Sequence, residues 1–228
     1  MNKKYPLTTL AILISFSVFS QTLKGVFGGI QSTTAGYKVR DKKQSTSSKT
    51  GGQLGMTLKI PFDNQLFFSP IVAYSLKGFT VQLTDSATIP GKDVLHNDVT
   101  VHAIDIAPLL QLDFSKNPSH LFVRFGPAID VAFKGKERLT YKNGKTADQD
   151  MKFGSTYYGF ITSSAIVHLG YETKGGFFVF GHYNHGLGSM NNNDFGPKIH
   201  HRIVGLSLGT YFGRRNPNVF DTRALDAK

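Results

Sequence analysis

The chain has 228 residues, no Cys and no Trp, with 26 Lys and Arg against 15 Asp and Glu, a formal net charge of +11. This length suits one domain of ordinary size, and the lack of Cys excludes disulfide bonds. The excess of positive charge favours an anionic partner, either nucleic acid or a charged lipid surface.

The first twenty residues have the pattern of a secretory signal peptide. Lys3 and Lys4 form a basic start, residues 7–19 are apolar apart from hydroxyl side chains, and Ser20 precedes Gln21. Thirteen residues are too few to span a bilayer comfortably as a helix, and a buried N-terminal helix is the alternative. We expect cleavage after residue 20, which leaves 24 basic and 15 acidic residues, a charge of +9. An exported bacterial chain rarely meets nucleic acid, so we expect lipid headgroups, and not nucleic acid, as its anionic partner.

The remaining chain predicts strands and almost no helix. Beyond the signal no apolar run reaches the roughly eighteen residues that a membrane helix needs, whereas period-two alternation recurs among Gly and aromatic residues. Eight strands are predicted, at about residues 22–32, 52–62, 66–82, 98–114, 120–134, 156–172, 176–188 and 199–213.

The connections between these strands alternate in length. Three are tight, at residues 63–65, 115–119 and 173–175. Four are long and polar, at residues 33–51, 85–97, 135–155 and 189–198. In an up-and-down arrangement all long loops then lie at one end, a pattern typical of outer-membrane barrels with short periplasmic turns and long external loops.

Alternation alone does not say which face of the sheet is dry, because a soluble lipocalin-like calyx alternates as well. The small residues Gly55, Ala107, Gly126 and Ala128 all lie on the faces that carry charges, which suits a cramped interior better than a free surface. Aromatic residues also gather at strand ends, as they do at the two interfaces of a bilayer. We therefore predict an eight-stranded antiparallel transmembrane β-barrel with its apolar faces towards lipid.

The chain resembles the PorT-like outer membrane protein β-barrel family, a porin-superfamily group of the Bacteroidota. The resemblance is carried by loose motifs spread over most of the chain, namely the Ser20-Gln21 signal end, GQLGMTLKIP (52–61), LFFSPIVAYSLKG (66–78), IDIAPLLQL (104–112), LFVRFG (121–126) and FVFGHYNHGL (178–187).

This resemblance implies an eight-stranded barrel in the bacterial outer membrane, with no family-wide catalytic residues and no cofactor. The expected organisation is a signal peptide (1–20), a barrel (21–213) and a C-terminal tail (214–228). The tail is a departure, since such barrels commonly end on an aromatic residue and here Phe212 is followed by sixteen more residues.

Charged residues on the inward faces predict ion pairs in the lumen. An eight-stranded barrel is only wide enough for its own side chains, and an isolated buried charge is costly. We expect a closed lumen paired by Lys59, Lys77 and Arg124 against Asp105 and Asp130, although solvated charges near the barrel ends are an alternative.

No catalytic or metal site is expected. His182 and His185 are three residues apart on a strand and diverge, as do the adjacent His200 and His201. The pair Asp105 and His102 also points to opposite faces.

Two of the long loops are rich in basic residues. They carry Lys38, Arg40, Lys42, Lys43, Lys136, Arg138, Lys142 and Lys145. Such a rim above the outer leaflet is expected to contact outer-membrane lipid and lipopolysaccharide phosphates, unless these loops are charged merely because they are exposed.

The predicted function is that of a non-enzymatic integral outer-membrane protein, structural, binding, or accessory to the proteins of an envelope or secretion complex. One alternative is a narrow passive porin-like channel. The other is a secreted soluble β-barrel that carries an apolar ligand inside.

Overall fold

The computed structural model describes residues 22–84, 90–91, 93–154, 157–193 and 196–213. The predicted signal peptide (1–20) and C-terminal tail (214–228) lie outside these residues. Every regular element in the described part is a β-strand. No helix among the described residues has the length and apolar character needed to cross a bilayer.

Twelve strands are present. They are β1 (Leu23–Val39), β2 (Lys42–Lys43), β3 (Ser45–Asp63), β4 (Leu66–Phe68), β5 (Ile71–Gln82), β6 (Val94–Ala107), β7 (Leu110–Asp113), β8 (His120–Tyr141), β9 (Thr146–Asp150), β10 (Ile161–Glu172), β11 (Phe177–Gly186) and β12 (Lys198–Phe212).

The strands form one antiparallel sheet whose pairing returns to the strand where it began. β1 pairs with β3 on one side and with β12 on the other. Between them the circuit passes through β5, β6, β8, β10 and β11. The prediction of an all-β antiparallel fold is confirmed, and a sheet closed in this way has no long free edge.

Two of the predicted strands are split at prolines. Residues 66–82 form β4 and β5 on either side of Ser69 and Pro70, and residues 98–114 form β6 and β7 on either side of Pro108 and Leu109. Proline has no N–H to donate to a ladder, and at the break the Ser69 N–H donates instead to the carbonyl oxygen of Leu109 at 2.7 Å.

Two of the predicted long loops are largely strand. β1 runs on to Val39 and β3 begins at Ser45, so the segment 33–51 is a hairpin with a short tip. β8 likewise runs on to Tyr141 and pairs with β9. The loop prediction is wrong there because much of these extensions, above all β9 and the start of β3, is exposed and polar, and so lacks the alternating apolar face that reveals a strand.

Along the eight strands of the circuit, the apolar face points outward and the charged face points inward. The outer face exposes large side chains such as Ile30, Leu54, Leu121 and Leu208. The inner face buries polar groups as well as apolar ones, and Arg124 is 0% exposed. This orientation agrees with the prediction made from the small residues.

Apolar side chains form two layers of the interior. The layer nearer the short turns contains Leu23, Phe27, Ile71, Ala73, Ala107, Leu109, Phe122, Ala128, Ile166, Phe178, Phe180 and Tyr211. The layer nearer the long hairpins is built around Tyr37, Val39, Phe79, Val81, Leu83, Leu139 and Ile199. Along β5 the two layers are separated by Ser75 and Lys77, so the polar groups of this strand lie between apolar ones.

Inward glycines make room for large side chains. A Cβ atom at Gly55 would lie 2.7 Å from the ring of Phe27, and one at Gly25 would lie 2.8 Å from the ring of Tyr211. Such contacts are too short to exist, so glycine at these positions allows aromatic rings to fill the lumen.

Candidate functional site

One ion-paired centre lies in the middle of the lumen on three neighbouring strands. Asp105 on β6 and Asp130 on β8 are direct cross-strand partners. The Lys77 ammonium group on β5 donates to Asp105 Oδ1 and to Asp130 Oδ1, each at 2.7 Å. All three residues are buried, and the lysine screens two carboxylates that would otherwise repel each other.

A second centre lies at the short-turn end of the lumen. The Lys59 ammonium group donates to Asp113 Oδ2 at 2.6 Å and to Glu172 Oε2 at 2.8 Å. His120 adds a third partner, with Nε2 2.9 Å from Asp113 Oδ2 and Nδ1 2.8 Å from the carbonyl oxygen of Asn117. Because both ring nitrogens face oxygen atoms, the arrangement suits an imidazolium, which donates from both nitrogens.

This second centre has ligand atoms spaced as in a metal site, but a lysine lies among them. The ligand atoms of Asp113, His120 and Glu172 all lie within 4.8 Å of one another. The ammonium group of Lys59 contacts the same Asp113 and Glu172 oxygens. The cationic position is therefore taken by a side chain of the protein.

Arg124 is held by neutral groups. Its Nε donates to Gln111 Oε1 and its Nη2 donates to the Tyr211 hydroxyl oxygen, both at 2.6 Å. The guanidinium carbon lies 4.5 Å from the centre of the Phe122 ring, a cation–π distance. Among the described residues no ion pair joins Arg124 to a carboxylate.

Gln111 connects Arg124 to the second centre. Its amide nitrogen donates to Asp113 Oδ1 at 2.7 Å while its amide oxygen accepts from Arg124. Hydrogen bonds therefore run without a break from Arg124 through Gln111 and Asp113 to Lys59.

The lumen residues expected from the sequence are thus distributed over two centres. Lys77, Asp105 and Asp130 come together, whereas Lys59 pairs with Asp113 and Glu172. Arg124 pairs with no carboxylate in the described part of the chain. The expectation that Lys59 and Arg124 would face Asp105 and Asp130 is corrected, because strand register places them nearer the short turns. Asp113, His120 and Glu172 were not predicted from the sequence, although Asp113 lies on the same face of its predicted strand as Asp105.

All eight basic residues of the predicted rim are exposed, but their surroundings differ. On the β8–β9 hairpin, the Arg138 guanidinium donates to both oxygens of Asp148, at 2.8 and 3.2 Å. Lys136 is the direct cross-strand partner of Asp150. The hydrogen bond from Arg138 lowers the pKa of Asp148 below its ordinary value, so this hairpin largely neutralises its own charge.

The remaining basic residues lie at two hairpin tips. Lys142 and Lys145 flank the turn between β8 and β9. Lys38, Arg40, Lys42 and Lys43 form the tip between β1 and β3, where Asp41 is the only described acidic residue. That tip therefore keeps most of its positive charge.

Asp105 and His102 lie on opposite faces of the sheet, as their spacing in the sequence predicts. Asp105 faces the lumen, whereas His102 lies on the outer face, where its Nδ1 is 2.7 Å from the hydroxyl oxygen of Tyr74.

The sequence profile described as "Outer membrane protein beta-barrel domain" matches residues 19–192 of the chain. No match to a curated protein was found at a significant level.

Several solved structures are similar over most of their length. Ail of Yersinia pestis, solved with the heparin analogue sucrose octasulfate, is 12% identical with a TM-score of 0.45, over 84% of this chain and 99% of that chain. OprG of Pseudomonas aeruginosa is 11% identical with a TM-score of 0.45, over 86% and 98%. Neisserial surface protein A is 12% identical with a TM-score of 0.42, over 83% and 97%.

Proposed function

Because the chain belongs to the outer membrane protein β-barrel domain family, we propose that it is an eight-stranded transmembrane barrel with a closed lumen, acting as a non-enzymatic structural or binding component of the envelope. Its location is the bacterial outer membrane. A secreted soluble barrel is therefore not retained as an alternative. The motifs quoted above support placing the chain in the PorT-like group of the Bacteroidota.

The proposed orientation puts the short turns in the periplasm and the long hairpins outside the cell. A signal peptide (1–20) would be removed on export, and the tail (214–228) would follow β12 into the periplasm. The apolar outer face of the circuit supports burial in lipid, because side chains such as Ile30 and Leu208 are about 70% exposed to the surroundings of the sheet.

The filled interior is the observation that carries the proposal of a closed lumen. Two ion-paired centres and two apolar layers occupy the space within the circuit. An eight-stranded barrel leaves little room beyond its own side chains, and the charged ones here are joined by short hydrogen bonds. A hydrated ion would have to break at least one buried ion pair to pass.

Planar-bilayer recording tests this proposal. The full chain is inserted from detergent, insertion is checked by heat-modifiable migration on a denaturing gel, and a general-diffusion porin serves as the positive control. The closed lumen predicts no large, steady conductance. A steady conductance from correctly folded protein would overturn it in favour of the narrow passive channel.

The basic rim supports contact with lipopolysaccharide. Lys38, Arg40, Lys42 and Lys43 lie on one side, and Lys136, Arg138, Lys142 and Lys145 on the other. Charge reversal at these positions is expected to raise the sensitivity of cells to detergent and polymyxin, because phosphate contacts across the outer leaflet would be lost. Unchanged sensitivity with normal protein levels would count against a lipid role.

An accessory role in an envelope or secretion complex makes a separate prediction. Crosslinking in native membranes, followed by pull-down and mass spectrometry, is expected to recover the same envelope proteins reproducibly. Recovery of lipid without any envelope protein would contradict the accessory role and favour a structural, lipid-binding role.

A further inference from the structure

Three lysines on three adjacent strands lie side by side on the outer face. Lys38 on β1 is the direct cross-strand partner of Lys43 on β2 and of Lys198 on β12. Directly paired side chains point to the same face of a sheet, with Cβ atoms about 4.5–5.5 Å apart. We call Lys43, Lys38 and Lys198 the lysine row.

Arg202 extends the positive charge of the lysine row along β12 towards the apolar belt. Two residue pairs below Lys38 and Lys198, Gly36 faces His200, and the next outward pair is Thr34 with Arg202. A Cβ atom on Gly36 would lie 3.7 Å from Nη2 of Arg202. The guanidinium group therefore extends over Gly36 towards the lysine row.

This arrangement is unfavourable without an anion. Like charges directly opposite each other destabilise a sheet. The described acidic partner is Asp41, whose Oδ1 lies 3.2 Å from Lys198 Nζ with both side chains well exposed, and exposed pairs contribute little. The β8–β9 hairpin shows the contrasting solution, since Asp148 and Asp150 face its basic residues there.

On β12 the positive charge follows directly after the apolar belt of the outer face. On β12 the outward residue after Arg202 is Val204, which is 59% exposed, and Leu206 and Leu208 follow it down the same face. Lys198 is six residues from Val204, roughly 20 Å along the strand. The positive charge therefore begins at Arg202, where the apolar belt ends, and continues outward for about 13 Å to the lysine row.

We propose that the lysine row and Arg202 bind the phosphate groups of lipid in the outer leaflet. This proposal rests on the proposed membrane orientation. It confines the lipid-binding part of the basic rim to three adjacent strands, β2, β1 and β12. It adds Lys198 and Arg202, which the sequence did not single out, and it leaves the β8–β9 hairpin out of the site.

Native mass spectrometry of the full chain in detergent micelles tests the site, with bisphosphorylated lipid A as the probe. The test variant is Lys38→Gln/Lys43→Gln/Lys198→Gln. The matched control is Lys24→Gln/Lys116→Gln/Lys174→Gln, which removes the same charge from exposed positions at the short-turn end of the sheet, outside the basic rim. We expect binding to weaken by at least about tenfold in the test variant and by less than about twofold in the control.

Two further arms identify the source of the phosphate. Dephosphorylated lipid A is expected to bind the wild-type chain about as weakly as bisphosphorylated lipid A binds the test variant. Inorganic phosphate at millimolar concentration is expected not to displace the lipid. Displacement by inorganic phosphate would overturn the lipid assignment in favour of a free anion.

The outcomes separate this site from the proposed function. If lipid A binding weakens equally in both triple variants, or in neither, the proposed site is overturned. The closed lumen is tested independently, by the planar-bilayer recording. A conducting wild-type chain overturns the closed lumen, whereas selective loss of lipid A binding in the test variant would still support the site. Heat-modifiable migration of both variants confirms that each is folded.

Discussion

Asp105 and Asp130 are direct cross-strand partners, and the Lys77 ammonium group lies 2.7 Å from one oxygen of each. Two carboxylates in this position are stable in a dry interior only with a shared cation. The three residues therefore act as one unit, and their substitution effects should not add.

Replacing Lys77 with Met is expected to destabilise the barrel by about 3–5 kcal/mol, since it leaves two buried carboxylates without a cation. The triple variant Lys77→Met/Asp105→Asn/Asp130→Asn should recover much of this loss. The measurement is the urea midpoint of heat-modifiable migration in lipid vesicles. Lys145→Met, at an exposed turn, is the control, and equal stability of the Lys77 and Lys145 variants would contradict the account.

Replacing Arg124 with Met should cost less than replacing Lys77. The change leaves the Gln111 amide oxygen and the Tyr211 hydroxyl without their donor, a loss of about 1–3 kcal/mol. No carboxylate of the described residues loses a partner, and Met retains contact with the surrounding rings. The same unfolding assay compares the stability of the two variants. A larger loss of stability in Arg124→Met than in Lys77→Met would contradict the assignment of neutral partners to Arg124.

Removing the Lys59 side chain should turn the second centre into a zinc site. In Lys59→Ala, Asp113, His120 and Glu172 would offer one nitrogen and two oxygen ligands within 4.8 Å of one another, a set that zinc accepts. Zinc at a hundredfold excess over its Kd should raise the unfolding free energy of this variant by about 2.7 kcal/mol. The wild-type chain and Lys59→Ala/His120→Ala should respond little, and a similar response in all three would refute a site-specific effect.

Substitution of Gly55 by Ala should destabilise the lumen by about 1–3 kcal/mol, because the new methyl group meets the side chains of Ala73 and Phe27 and the carbonyl oxygen of Val72. Gly181 is the matched control, since a Cβ atom there would have no neighbour closer than 3.9 Å. Gly181→Ala should stay within about 0.5 kcal/mol of wild type. Thermal unfolding followed by gel migration separates the two, and equal midpoints would mean that the lumen is less tightly packed than described.

The amino-acid sequence by itself determined where the strands lie and which of their faces is apolar. Period-two alternation is local, so residues such as Leu58 and Lys59 are assigned to opposite faces without knowledge of their neighbours. The small residues on the charged face, such as Gly55 and Ala128, then indicated that this face is the crowded inner one. For the same reason, strands without an apolar face, such as β9, were not recognisable.

Only the tertiary structure decided which charges meet. Lys59 and Lys77 have the same local pattern, yet Lys59 bonds Asp113 and Glu172 whereas Lys77 bonds Asp105 and Asp130. Arg124 bonds neutral groups, and no carboxylate of the described residues. Partners such as Lys59 and Glu172 are 113 residues apart, and their approach depends on the register of every strand between them. The same long-range register joins Lys38 to Lys198 and opposes Lys136 to Asp150, so one basic segment keeps its charge and the other neutralises it.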